Sequence, residues 1–284
     1  MKIVLGTAKF GMKYGVFENG NFSQKKINNI LKLAKSQNIN IIDTSPDYGN
    51  SHYKIGKCNI KNLHIITKLP KVTVKKSRIK KDIRDRVLEY IRVLNCDKIH
   101  YLLLHNPVDL LSQNGKEIYN AIVCLKEEGL IDKIGVSTYD LDQLNSIINN
   151  FEINLVQHPL NLLDRRIISS GMIDKLNSLN VEVHCRSVFL QGLLLTDINR
   201  LSNRLDTYKK DILEVQNFCK KINKPVYEVC LRFVLSIEGI SKIIIGVDNL
   251  EQLKNIIKIV FKKECFEIPE FKVSNKKIMD PRVW

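Results

Sequence analysis

The sequence lacks any apolar run long enough to cross a membrane, and its cysteines are not paired. A membrane helix needs about 18 or more apolar residues in succession, and no stretch of this chain reaches that length. The amino terminus MKIVLGTAKFGMKYG has no signal-peptide layout. The seven cysteines occur singly, without a CxxC pair, which fits reduced thiols better than a disulfide framework. We therefore expect a soluble, cytoplasmic protein without a membrane partner.

Acidic residues are also scarce, since 30 Asp and Glu face 45 Lys and Arg, for a formal net charge of +15. Such an excess attracts anions, including nucleic acids, dinucleotides and phosphorylated substrates. The densest basic cluster, Lys75–Lys81, lies at the predicted start of a helix. It carries no interleaved aromatic residues of the kind on which bases stack. We therefore expect solvated helix faces and no nucleic-acid partner.

A glycine-rich dinucleotide fingerprint is missing after the first strand, and no linker divides the chain. Short β-branched runs alternate with amphipathic stretches, which predicts βα units around a parallel sheet. The candidate strands span residues 2–8, 40–44, 63–69, 98–105, 132–138, 153–159, 181–187 and 241–247. The candidate helices span residues 27–37, 82–94, 116–129, 141–150, 170–180, 211–222, 226–236 and 249–261.

Eight strands are the number that closes a barrel, and 284 residues suit a single barrel of about 250. We therefore predict an α/β fold, a single (β/α)8 TIM barrel, as one domain over residues 1–284. An open doubly wound sheet is the alternative, and the missing glycine fingerprint argues against it.

Four polar residues follow or end early strands, namely Asp43, Tyr48, Lys68 and His105. In a barrel of this kind the carboxyl ends of the strands meet at the active-site face. A phenol with its ordinary pKa near ~10 is a poor acid at neutral pH, and a neighbouring ammonium lowers that pKa. A carboxylate can hold the ammonium, and an imidazole can orient a carbonyl oxygen. The set predicts a site that donates a proton.

The context of these residues resembles the aldo-keto reductase family. The resemblance runs through LGTAKFG, DTSPDYGNSH, ITKLP, YLLLHNP, IGVSTYD, VQHPLN, RSVFLQGLL and IIIGVDNLEQL. It implies a (β/α)8 barrel that binds a nicotinamide dinucleotide without a Rossmann domain. It further implies that Tyr48 is the general acid, that Lys68 lowers the pKa of Tyr48 and that Asp43 pairs with Lys68. His105 would donate toward the carbonyl oxygen of the substrate.

The same resemblance implies a set of cofactor contacts. These are Ser137, Gln157, Arg186, Leu190, Gly192, Gly246, Asp248, Asn249 and Gln252. Ser137 and Gln157 match the positions that hold the nicotinamide carboxamide, and Gly192 lies in a segment like the pyrophosphate loop. Asn255 matches the pattern only if the last helix shifts by one residue. NADPH is the expected cofactor, with NADH as the alternative because Asp248 suits a ribose 2′-hydroxyl.

Arg186 stands where the family often has an aromatic residue that stacks on the nicotinamide. A guanidinium plane can stack as well, and it adds a fixed positive charge. It either selects an anionic substrate or forms a structural salt bridge. The tail 266–284 is short and polar, which favours an open pocket for a bulky polar carbonyl such as a sugar derivative.

The sequence thus predicts an NAD(P)H-dependent reductase that converts an aldehyde or ketone, sugar-derived or anionic, to an alcohol. The alternative is a non-catalytic barrel that binds nicotinamide as a redox sensor and docks a partner. A metal-dependent barrel is disfavoured, because only His105 and His158 lie at strand ends and no carboxylate cluster accompanies them. We expect no metal, a small carbonyl substrate and a monomer or weak homo-oligomer.

Overall fold

Eight parallel strands close into a barrel in the order of the chain, as the sequence predicts. The structure is a computed structural model that describes residues 1–16, 22–262, 264 and 266–284. The strands are β1 (Ile3–Gly6), β2 (Ile41–Asp43), β3 (His64–Leu69), β4 (Ile99–Leu104), β5 (Ile131–Ser137), β6 (Leu155–Pro159), β7 (Glu182–Arg186) and β8 (Lys242–Gly246). Pairing of β1 with β8 closes the sheet, so the predicted (β/α)8 fold is confirmed and the open sheet is excluded.

Helices surround the barrel. They are α1 (Ala8–Gly11), α2 (Gln24–Ser36), α3 (Ser51–Gly56), α4 (Ile79–Leu94), α5 (Gly115–Glu127), α6 (Leu141–Asn150), α7 (Arg166–Ser169), α8 (Met172–Ser178), α9 (Lys209–Lys221), α10 (Val226–Ser236) and α11 (Leu250–Phe261). All eight predicted helices are present. The sequence did not predict α1, α3 and α7, because helices of four to six residues are too short to show an apolar period.

The strand period of two explains which side chains enter the barrel. A small apolar cluster fills its lower interior, formed by Val4, Ile66, Tyr101, Leu103 and Leu155. Because alternate residues of a strand point to the same face, residues two further along each strand lie above this cluster. The larger core joins the outward faces of the strands to the helices and contains their alternate residues, such as Leu5 and Ile65.

Two helix ends show local chemistry that is typical of helix caps. The Ser23 hydroxyl accepts a hydrogen bond from the backbone N–H of Lys26 and so caps α2. Gly129 follows the capping residue Glu128 and adopts a φ of +74°, which glycine reaches without a Cβ penalty. Over the residues that the structure describes, none of the helices combines the length and apolarity that a membrane span requires.

Candidate active site

Asp43 and Lys68 form a buried ion pair inside the upper barrel. Asp43 ends β2 and Lys68 is the penultimate residue of β3, at positions that share the inward face, and Lys68 is 1% exposed. The Lys68 Nζ lies 2.7 and 2.8 Å from the two carboxylate oxygens of Asp43 and 3.0 Å from the Thr44 carbonyl oxygen. Burial lowers the pKa of Lys68, and the Asp43 carboxylate opposes that shift. The predicted pairing is therefore present.

Gln157 extends this pair across the barrel. Its side chain on β6 is fully buried, and Nε2 donates to Asp43 Oδ2 at 2.7 Å. The other amide atom, Oε1, is buried without a hydrogen-bond partner among the described residues. Ser137 is the residue of β5 that pairs with Gln157, and it is also buried. An unsatisfied buried acceptor costs free energy unless a ligand donor reaches it.

Two glycines set the position of Tyr48. A Cβ on Gly11 would lie 1.9 Å from the Tyr48 carbonyl oxygen, and a Cβ on Gly49 would lie 2.4 Å from the Gly11 carbonyl oxygen. Gly49 also has a φ of +57°. The turn after β2 therefore packs backbone against backbone on α1, which only residues without a Cβ permit.

The Tyr48 phenol lies beside Lys68 but does not have a lowered pKa. The Lys68 Nζ is 5.0 Å from the ring centroid. Burial, and then the Asp43 carboxylate, raise the pKa of Tyr48 above its ordinary value, while Arg186 opposes them. That Lys68 lowers this pKa stays a prediction, because burial and the Asp43 carboxylate set the net direction.

His105 follows β4 and completes the predicted group of four. Its ring meets the Tyr48 ring edge to face, with centroids 6.2 Å apart. Its Nδ1 lies 2.6 Å from Oδ2 of Asp47, a residue to which the sequence analysis gave no role. Burial first, and then the Lys68 ammonium, lower the pKa of His105, while Asp47 acts in the opposite direction. The net direction favours the neutral imidazole at pH 7.

A cavity of about 260 Å³ runs from Tyr48 and Asp43 to the loop after β8. Five predicted cofactor residues line it, namely Arg186, Gly192, Gly246, Asp248 and Gln252. Asn255 lines it too.

Two predicted cofactor residues lie elsewhere. The Leu190 side chain is fully buried in the core, and the Asn249 side chain caps α11 by accepting the Gln252 N–H at 2.9 Å. Lys68, His105, Ser137 and Gln157 are also absent from the residues that line the cavity.

Lys9 is a second residue that the sequence analysis left without a role. It lines the cavity, and its Nζ lies 2.5 Å from Asp248 Oδ1. The pair spans the seam where β1 meets β8, the first and last strands. Closing the barrel places the loops after these two strands side by side, but the sequence alone does not show which of their side chains meet.

Arg186 stacks on Tyr139 instead of forming a salt bridge. Its guanidinium carbon lies 3.9 Å from the Tyr139 ring centroid, and Arg282 of the tail lies 4.0 Å from the same centroid. Nη2 donates to the Thr138 carbonyl oxygen at 3.1 Å, and Nε is buried without a partner. Among the described residues Arg186 makes no ion pair, so the structural salt bridge is not formed there.

Comparison with known proteins assigns the family. The sequence model of the aldo/keto reductase family matches residues 2–272, and the chain belongs to this family of oxidoreductases. Such enzymes use nicotinamide cofactors. In the ranges that the structure covers, no three His, Cys, Asp or Glu side chains gather as a metal site.

Two curated relatives are sugar dehydrogenases by name. D-arabinose 1-dehydrogenase of Saccharomyces cerevisiae is 23% identical over 251 residues, which cover 80% of this chain and 74% of the relative. L-galactose dehydrogenase of Arabidopsis thaliana is 24% identical over 268 residues, which cover 86% and 81%. Glycerol dehydrogenase of Gluconobacter oxydans has a similar structure, with a TM-score of 0.71 at 22% identity over 93% of this chain and 88% of that one. The structural likeness supports the barrel fold.

Proposed function

We propose that this protein reduces a polar aldehyde or ketone, sugar-derived or anionic, to an alcohol with NAD(P)H. The observation that carries the proposal is the buried Asp43–Lys68 pair beside the Tyr48 phenol at the end of the cavity. A buried lysine is costly unless its charge is matched, and such perturbed groups concentrate at functional sites. The names of the sugar dehydrogenase relatives favour a polyhydroxylated substrate.

The residues present fit a nicotinamide cofactor. The unpartnered Oε1 of Gln157 suits the N–H of a carboxamide, and Ser137 lies next to it. Gly192 has a φ of +92° and open space where a Cβ would stand, so the backbone near it is accessible to a phosphate. Gly246, Asp248 and Gln252 line the far end of the cavity. When bound, the cofactor supplies the hydride.

Tyr48 is the group that we assign to proton donation. Its raised pKa keeps the phenol protonated at neutral pH, so the proton is present when a carbonyl oxygen binds. As the carbonyl oxygen takes this proton, the charge left on the phenolate is stabilised by the Lys68 ammonium and by Arg186. A positioned proton donor of this kind contributes roughly 10²–10⁴-fold to the rate.

NADPH remains our first choice of cofactor. Lys9 supports this choice. Its ammonium lies beside Asp248 and offsets the negative charge with which Asp248 alone would repel a 2′-phosphate. Replacing Asp248 with Asn should therefore tighten NADPH binding relative to NADH, and Lys9→Gln should weaken it. Fluorescence titration of both cofactors measures this. A wild-type protein that clearly binds NADH more tightly than NADPH would contradict the proposed cofactor preference.

The direct test of the activity is a panel of polar aldehydes and ketones, assayed by the loss of NADPH absorbance. We expect oxidation of the cofactor with at least one hydroxylated carbonyl. Tight cofactor binding with no turnover on the whole panel would instead favour the redox-sensor alternative.

A further inference from the structure

Asp47 and His105 form a contact that fixes the protons of the imidazole. The Nδ1 of His105 lies 2.6 Å from Asp47 Oδ2, and a carboxylate can only accept a hydrogen bond. Nδ1 therefore carries a proton and donates it toward Asp47. In a neutral imidazole the other nitrogen, Nε2, then has a lone pair and acts as an acceptor.

The groups that face His105 keep it neutral. Lys68 is a fixed cation nearby, and burial opposes a second ring proton, while Asp47 and the more distant Asp43 favour one. The net direction lowers the pKa of the imidazole. The Tyr48 ring packs against it edge to face and adds no charge. Nε2 makes no hydrogen bond to the described residues and remains available to a ligand.

We propose that Asp47 is a positioning residue that holds His105 in its Nδ1–H form, so that Nε2 accepts a hydrogen bond from a substrate hydroxyl. The His105 ring lies 6.2 Å from the Tyr48 ring, which we assign to the carbonyl oxygen, so the hydroxyl within reach is the one on the carbon next to the carbonyl. The site would then select α-hydroxy aldehydes and ketones over simple carbonyls. This inference rests on the proposed function and differs from the donor role that the family resemblance implies for His105.

The local structure supports a dedicated role for Asp47. Its backbone N–H donates to the Ser45 hydroxyl at 3.2 Å, which fixes the turn that also carries Tyr48. Its side chain is 48% exposed, and among the described residues its Oδ2 contacts only His105. Replacing this side chain should therefore leave the fold intact and change the tautomer of the His105 imidazole.

Nuclear magnetic resonance tests the tautomer without any turnover. Long-range ¹H–¹⁵N spectra of the histidine rings at neutral pH should show a protonated Nδ1 and an unprotonated Nε2 for His105, assigned with His105→Asn. In Asp47→Ala the ring should move toward the other tautomer. Asp47→Asn should keep much of the wild-type pattern, because its amide oxygen still accepts a hydrogen bond.

Kinetics tests the selection of substrate. The ratio of kcat/KM for glycolaldehyde to that for acetaldehyde should fall about tenfold in Asp47→Ala, the effect of one lost hydrogen bond. Asp47→Glu, which still carries a carboxylate, should retain part of the wild-type ratio. Asp85→Ala, which removes an exposed carboxylate on α4 that pairs with Lys81, is the matched control and should change neither readout.

Three results would overturn the inference. A wild-type His105 that carries its proton on Nε2 contradicts the tautomer, whether or not the enzyme is active. An unchanged kcat/KM ratio in Asp47→Ala contradicts the selection of α-hydroxy carbonyls. If the wild-type protein reduces no carbonyl, the proposed function fails and the substrate selection falls with it, while the spectra still decide the tautomer.

Discussion

Each reactive side chain of the candidate site owes its protonation state to one or two neighbours. Asp43 holds the Lys68 ammonium, Asp47 orients the His105 ring, and burial keeps the Tyr48 phenol neutral. The Asp43–Lys68 contact could be predicted, because both residues lie at the carboxyl ends of adjacent parallel strands, on the inward face. The direction of the Tyr48 pKa could not, since it is a sum of burial and several charges that only the folded structure brings together.

Arg186 provides a residue-scale prediction. We expect Arg186→Ala to lower kcat/KM for D-glucuronate by roughly 10–100-fold and for D-glucose much less, because only the former offers a carboxylate to the guanidinium. Steady-state kinetics on the two sugars measures this. Arg165→Ala, which removes a guanidinium stacked on Phe233 away from the cavity, is the control. Equal losses of kcat/KM on both sugars would show that Arg186 does not recognise the substrate carboxylate.

At the scale of elements, short segments between strands and helices position the side chains of the candidate site. The turn after β2 sets Tyr48 through glycine contacts with α1, and the start of α11 sets Asp248 and Gln252. Asn249 shows why such segments resist prediction. A polar residue before a helix can be a ligand or an N-cap, and both uses look the same in a sequence. The structure assigns its side chain to the cap.

Gly11 and Gly129 make a matched pair for testing this idea. Gly11→Ala forces the Tyr48 backbone to move, so we expect kcat to fall by at least tenfold. Gly129→Ala places a Cβ at a φ of +74° in open space, so it should cost about 1 kcal/mol of stability and leave kcat unchanged. Kinetics and chemical denaturation of both variants separate the effects. Comparable losses of kcat in the two would contradict the placement of Tyr48 by α1.

At the scale of the molecule, barrel closure determines which distant segments meet. The number and period of the strands were sufficient to predict the fold. Contacts across the closing seam, such as Lys9 with Asp248, depend on side-chain reach that the sequence does not state. That residues 1–284 form one domain stays a prediction, which a single cooperative unfolding transition would support. The predicted cellular location and oligomeric state stay predictions as well.

Buried histidines predict how stability depends on pH. Burial lowers the pKa of His158 from 6.5 to about 4. As the pH falls from 6.5 toward 4, the unfolded chain binds a proton that the folded protein does not, so the free energy of unfolding decreases. For His158 the loss is on the order of 3 kcal/mol. Denaturation of wild type and His158→Asn across this range should show a shallower decrease in the variant, whereas identical slopes would contradict the assignment.

The central claim is that Tyr48 donates the proton in carbonyl reduction. Its most direct test is to compare Tyr48→Phe with Tyr53→Phe, an exposed tyrosine on α3 that serves as the control. Each variant is assayed for NADPH binding by fluorescence and for NADPH oxidation with the best carbonyl substrate. We predict that Tyr48→Phe binds the cofactor nearly as well as wild type but loses at least 10²-fold in kcat, while Tyr53→Phe is unaffected. Full reductase activity in Tyr48→Phe would contradict the account.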